Sequence, residues 1–260
     1  MHKSLSRTRT NILTLLLTLL TQTATAQLPS ASTSGTAIDA NAQSIVDKSI
    51  KYHNGKSQWE SSVVRIDLKE TRPNGSDRST TLVFDNTGST FMLNQQRGDD
   101  KIIRWTDGNE CSHKVNGSED FTEQKAKDLN LNCEYTIRMR DYYTYLYGLP
   151  AKLKDPGTII HPEVRLVEFD GQELHQVRVT YEGEVGSDIW YFYFDTKTAA
   201  LSGYRFYHDE DANDGEYITL KDEVTSKGLR LPKERTWYVH KDGRVLGSDI
   251  IVRVEVGKGN

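Results

Sequence analysis

Alternation of apolar and polar side chains is the main signal along this chain. Val64, Ile66 and Leu68 alternate with Arg65, Asp67 and Lys69. Successive strand residues face opposite sides, so this spacing predicts a half-buried strand. Pro73-Asn74-Gly75 predicts a turn after it, because Asn-Gly tolerates positive φ at little cost. Residues 80–84 and 91–93 continue as strands, separated by Asn86-Thr87-Gly88. Residues 102–105 form another, turning at Asp107-Gly108 into 110–115. A second run extends from Val164 to the end. It is punctuated by Asp170-Gly171, residues 182–187 and 195–203, Asp214-Gly215, Lys227-Gly228 and Asp242-Gly243. In its last strand Ile250, Val252, Val254 and Val256 are expected on one face, with Asp249, Arg253 and Glu255 on the other.

Helical spacing occurs in three places. Ile38, Ala42, Ile45, Val46 and Ile50 share one face of a helix expected to end near His53-Asn54-Gly55, with glycine as its left-handed stop. Asp120 with Glu123 resembles a capping pair that opens a short helix at 121–129. A longer helix over 134–147 carries Tyr135, Met139, Tyr142, Tyr143 and Leu146 at helical spacing, and Gly148-Leu149-Pro150 stops it. Short links between consecutive strands demand antiparallel pairing. The fold class expected is mainly β (α+β): a single curved antiparallel sheet, a half-barrel of about ten or eleven strands. An N-terminal helix and a two-helix insertion pack over its concave face.

The first 26 residues change the setting. Lys3, Arg7 and Arg9 precede the apolar run from Ile12 to Leu20, and Ala24-Thr25-Ala26 follows, the pattern of a cleavable secretory signal. That run is shorter than the ~20 residues of a membrane span. Residues 27–37 (QLPSASTSGTA) read as a flexible linker and 38–260 as a single domain. Cleavage removes three of the 33 Lys and Arg, leaving 30 against 37 Asp and Glu, a net charge of −7. This balance argues against nucleic acid as a main partner. No transmembrane segment is expected, and oligomeric state stays open. Export, periplasmic or extracellular, places Cys111 and Cys133 where disulfides persist, which favours a bridge over two buried thiols.

The order of elements resembles the periplasmic lipoprotein carriers of the LolA/LolB type and the related outer-membrane lipoprotein-sorting proteins. Three local signatures carry the likeness: Thr106-Asp107-Gly108 before the helical insertion, residues 193–198 (YFDTKT) followed by Leu201, and residues 227–232 (KGLRLP). The layout is also similar to an uncharacterised family of secreted bacterial proteins within or near that group. The likeness spans about residues 38–256. It implies a half-barrel of apolar residues under helices that shields acyl chains from water. The partner implied is a lipid or a lipid-modified protein.

Candidate chemistry is sparse. In residues 190–194 (WYFYF), Trp190, Phe192 and Phe194 share one face and Tyr191 and Tyr193 the other. Both faces are aromatic, as in a strand covered on both sides. Core packing and the floor of an apolar pocket are both open readings of this segment. The pocket candidates are Trp105, Tyr142, Tyr143, Leu146, Trp190, Phe192, Phe194 and Phe206. Asp209, Asp211 and Asn213 have the oxygen spacing of a calcium loop, but Gly215 falls one place late and the twelfth position is Leu220. A solvated hairpin tip fits better. The histidines form no ligand-spaced pair, and there is no nucleophile elbow or phosphate loop, so no metal, cofactor or catalytic residue is assigned. A secreted hydrolase acting on glycans or envelope material, or an envelope assembly module, remains the alternative to a non-enzymatic binding protein.

Overall fold

The computed structural model describes residues 35–258. The expected signal at 1–26 lies outside the described residues, as does the linker up to residue 34. The chain order is β1 (Thr36–Ile38), α1 (Ala42–Asn54), β2 (Ser62–Thr71), β3 (Arg78–Asp85), β4 (Thr90–Arg97), β5 (Asp100–Thr106), β6 (Cys111–Val115), α2 (Glu123–Asp128) and α3 (Cys133–Gly148). There follow β7 (Thr158–Phe169), β8 (Gln172–Tyr181), β9 (Ile189–Asp195), β10 (Leu201–Tyr207), β11 (Glu216–Ser226), β12 (Leu229–Val239) and β13 (Val245–Lys258).

All thirteen strands form one sheet, ordered β1-β7-β8-β9-β10-β11-β12-β13-β2-β3-β4-β5-β6. Every pairing is antiparallel. Each run of the sequence is thus a meander, and the last strand joins the two by pairing β13 with β2. The sheet is open, with β1 and β6 at its edges. The count exceeds the ten or eleven expected, and β1 lies partly within the segment expected to be linker. Thr36, Ala37 and Ile38 pair there with Leu166, Arg165 and Val164 of β7. This pairing also removes Ile38 from α1, which starts only at Ala42.

The turns explain the short links. Asp170 (φ 50°) and Gly171 (φ 72°) both take left-handed backbone between β7 and β8, the geometry that matches the twist of a two-residue hairpin. Helix caps differ in detail from expectation. Asn41 caps α1, accepting the Ser44 N–H at 2.7 Å. At its other end Gly55 stays right-handed (φ −60°), and Ser57 (φ 50°) takes the left-handed turn. Thr122, not Asp120, caps α2 through the Lys125 N–H.

One face of the sheet carries the main core, with α1 and α3 packed on it. Val64, Ile66, Leu68, Leu82, Phe84, Phe91, Leu93, Phe192, Phe194 and Ile251 are buried there with Ala42, Ile45 and Val46 of α1 and Tyr143, Leu146 and Tyr147 of α3. Each Val, Leu, Ile or Phe side chain among them contributes roughly 1.5–3 kcal/mol by leaving water.

A β-bulge in β13 overturns the expected facing of that strand. Register shifts between Ile251 and Arg253, so Asp249 and Ile251 pair with Glu70 and Leu68, then Val254 and Val256 with Ile66 and Val64. The extra residue, Val252, is 54% exposed. Strict alternation therefore breaks at one position. Asp249, expected outside, is buried on the helix side of the sheet.

Candidate functional site

The sheet and α3 do not close completely on each other. Between them lies a cavity of about 250 Å³. Tyr135, Arg138, Met139, Tyr142, Tyr143 and Leu146 of α3 border it, a stripe at spacings of three and four that one helical face produces. The sheet supplies Trp190 of β9, Tyr204 and Phe206 of β10, Ile218 of β11, Trp237 of β12 and Leu246 of β13. Register brings these together. Phe206 pairs with Trp190, Tyr204 with Ile218, and Ile218 with Trp237, which lies opposite Gly247. The Trp190 and Phe206 rings lie 5.0 Å apart, centroid to centroid.

Charged groups interrupt this apolar lining at two places. At one, Arg72, Arg78 and Asp249 border the cavity, with Glu70 behind them. Arg78 grips Glu70 with two bonds, from Nη2 at 2.7 Å and Nε at 2.8 Å. Thr80 donates to the same carboxylate, and Tyr143 on α3 donates to it at 3.3 Å. Arg72 reaches Asp249 at 3.3 Å. Burial, followed by the Glu70 charge, raises the Asp249 carboxyl to about 7. Glu70 is held below the ordinary carboxylate range by Arg78, which overcomes its desolvation. At the second place Glu216 of β11 borders the cavity, and burial raises its carboxyl to about 7. Two carboxyls at the wall therefore hold a proton more readily than ordinary carboxylates do.

Helix α3 is fastened along its length. Cys133, its first residue, is disulfide-bonded to Cys111 of β6, with Cα atoms 5.4 Å apart. Closing a loop of this separation is worth about 3 kcal/mol in the chain-entropy model. His113 bonds Thr136 at 2.8 Å, and Tyr145 bonds Tyr181 on β8. At the far end Arg235 of β12 donates to the Leu146 carbonyl at 3.5 Å and lies 4.2 Å from the Tyr147 ring centroid. A cation there favours the negative end of a helix.

Five of the eight pocket candidates line the cavity: Tyr142, Tyr143, Leu146, Trp190 and Phe206. Phe192 and Phe194 sit on the same face but are wholly buried in the core. Trp105 does not belong to the site. In β5 it is Ile102, Arg104 and Thr106 that are buried on the helix side, so Trp105 points to the opposite face and is half-buried. Sequence reasoning missed Trp237, Tyr204, Ile218, Arg138, Glu216 and Asp249. Alternation from Ile218 and Tyr204 was the signal for the apolar ones, whereas the β13 bulge concealed Asp249.

The acidic tip at 208–215 turns its carboxylates onto its own backbone. Asp214 accepts the His208 and Asp209 N–H groups, and Asp209 accepts those of Asp211 and Ala212. No group of three or more His, Cys, Asp or Glu able to hold a metal occurs among the described residues. No helix among them is long and apolar enough to cross a membrane.

Comparison with known proteins gives a family and three structural likenesses. A family of unknown function, DUF6503, matches residues 28–254. No curated protein matches. Among solved structures, the chain is similar to a LolA superfamily protein from Nitrosomonas europaea (13% identity, 83% of this chain and 93% of that one, TM-score 0.46). It is also similar to a domain described as a putative outer membrane lipoprotein-sorting protein from Vibrio parahaemolyticus (11%, 85% and 95%, TM-score 0.45). A third likeness is to a DUF1329 family protein from Desulfovibrio piger (9%, 83% and 93%, TM-score 0.45).

Proposed function

The chain belongs to the DUF6503 family of unknown function, and we propose that it is an exported, non-enzymatic binding protein whose cavity between sheet and α3 takes an apolar chain. The ligand class is a lipid acyl chain or a lipid-modified protein segment. The observation that carries this reading is the lining: Met139, Leu146, Trp190, Phe206, Ile218 and Trp237 surround one space and leave it unfilled. A well-packed core leaves few voids larger than a water molecule. Ligand sites, by contrast, are mostly apolar with a few placed polar groups. The charged groups at Arg72, Asp249 and Glu216 suit the polar end of an amphiphile rather than its chain.

A hydrolase of glycans fits the same geometry less well. Such enzymes set two carboxyl groups roughly 5–9.5 Å apart, both able to reach substrate. Glu216 pairs with Val239 and Asp249 with Arg235, so they stand four residues apart along β12 and two strands apart. At strand spacings that is on the order of 16 Å between backbones. Glu70 is adjacent to Asp249, but its side chain is 0% exposed and gripped by Arg78.

The test is to purify the mature protein from its native envelope, extract it with organic solvent and identify lipids by mass spectrometry. Stoichiometric acyl lipid is the expected result. Protein that carries no lipid, and takes up no fluorescent fatty acid when offered one, overturns the reading.

A further inference from the structure

The sheet face opposite α3 holds a second cleft, of about 540 Å³, between the β7 irregularity at 161–163 and the tip of the β10–β11 hairpin. Its lining is unlike that of the cavity. Arg165, Gln176, Arg178, Tyr191, Arg205 and Tyr207 form most of it, with His161, Glu163 and Glu210 at the sides.

Arg205 is the decisive residue. It is 2% exposed, and among the described residues no carboxylate pairs with it. Its Nη1 donates to the Tyr207 hydroxyl at 3.0 Å, while its Nε is buried with no partner. The guanidinium lies 5.6 Å from the Tyr193 ring centroid and 5.8 Å from that of Phe169. Arg104 and Arg235 are as deeply buried, and their Nε atoms likewise lack a partner. Their terminal nitrogens, however, donate to backbone carbonyls, Arg104 to Leu129 and Arg235 to Pro232 and Leu146, and neither borders this cleft. Arg205 has no carbonyl partner of this kind. A buried charge without a counter-charge is strongly disfavoured, and a bound anion removes that penalty.

The carboxylates around Arg205 are engaged elsewhere. Glu163 is held by Arg165 at 2.5 Å, and Glu210 accepts from Tyr191 and pairs with Arg178 at 3.6 Å. The two histidines cannot supply charge of either sign in these bonds. Nε2 of His161 accepts from Arg178 at 3.0 Å, which requires that nitrogen to be unprotonated. The Tyr207 hydroxyl, which accepts from Arg205, is also bonded to Nε2 of His240 at 3.0 Å. Burial and the Arg205 charge hold the His240 ring neutral, pushing it down to about 4. Three arginines therefore face two carboxylates, both already engaged.

We propose that this cleft binds the oxyanion group of a small molecule, a phosphate or carboxylate, on Arg205, with Arg178 and the Tyr191 and Tyr207 rings completing the site. Planar guanidinium groups match such anions through paired N–H donors. The space exceeds that of a bare ion and falls in the range of small-molecule sites, roughly 300–1,000 Å³.

Calorimetric titration of the full chain with inorganic phosphate tests the proposal, alongside sodium chloride at matched ionic strength. Saturable phosphate binding is expected, absent with chloride, and weakened about tenfold or more in Arg205→Met. Arg178→Gln, at a part-exposed side chain, serves as the variant that keeps the fold and is expected to weaken binding by about threefold to tenfold. Vesicles of phosphatidylglycerol, compared with phosphatidylcholine, separate a lipid headgroup from a free anion. Binding to these vesicles that both substitutions abolish assigns the oxyanion to a lipid. Absence of phosphate and vesicle binding alike, or binding that neither substitution alters, overturns the site.

Discussion

At the scale of single residues, Asp249 shows how one inserted amino acid decides chemistry. The bulge at Val252 turns Asp249 inward, where it meets Glu70 across the strand pair, and burial with the Glu70 charge raises its carboxyl above the ordinary range. Its folded pKa is raised, so its contribution to stability is complete below about pH 4 and is lost as pH rises toward 7. Glu216 behaves alike. The cavity wall therefore loses two negative charges on acidification. An uncharged fluorescent amphiphile is expected to bind more tightly at pH 6 than at pH 8. The gain is up to about tenfold for each unit by which the ligand raises a carboxyl pKa. The double variant Asp249→Asn/Glu216→Gln is expected to bind equally at both values. Titration of wild type and variant at the two pH values checks this, and a pH-independent wild type contradicts it.

Among the elements, those set by periodicity were legible in the chain and those set by pairing were not. Helix α3 follows from the spacing of Tyr135, Met139, Tyr142 and Leu146, and most hairpins follow from Gly-containing turns. β1 was hidden because Thr36, Ala37 and Ile38 gain their order from β7, a partner more than 120 residues away. Trp105 misled because aromatic character says nothing about which face of β5 meets α3. Helix α1 is fixed by a feature that composition does not reveal. His53 at its end bonds the Arg230 carbonyl through Nδ1 at 2.9 Å and accepts the Leu201 N–H through Nε2 at 2.9 Å. Only the neutral ring satisfies both bonds, and burial lowers its pKa to about 4. This depressed value gives stability that is complete above about pH 6.5 and lost as pH falls toward 4. The loss amounts to about 3 kcal/mol. Urea unfolding between pH 7 and pH 4.5 is expected to show it, with a flatter pH slope in His53→Gln. Equal slopes would remove His53 from the account.

For the whole molecule, the thirteen strands make one open sheet with separate chemistry on its two faces. The helix side offers an apolar cavity, bordered by Trp190 and Trp237, under a helix fastened at both ends. The other face offers the arginine-lined cleft. Fold class was readable from alternation and short links. The cavity was only partly readable, because its floor is assembled from five strands whose relative register no local pattern records.

Tryptophan quenching by a brominated fatty acid measures this arrangement most directly. Trp190 and Trp237 border the cavity, Trp59 packs on Phe84 in the core, and Trp105 lies on the opposite face. Saturable quenching at one fatty acid per chain is expected, lost largely in Trp190→Phe/Trp237→Phe and unchanged in Trp105→Phe. Quenching that is absent, or that survives the double substitution, would contradict an acyl chain in this cavity.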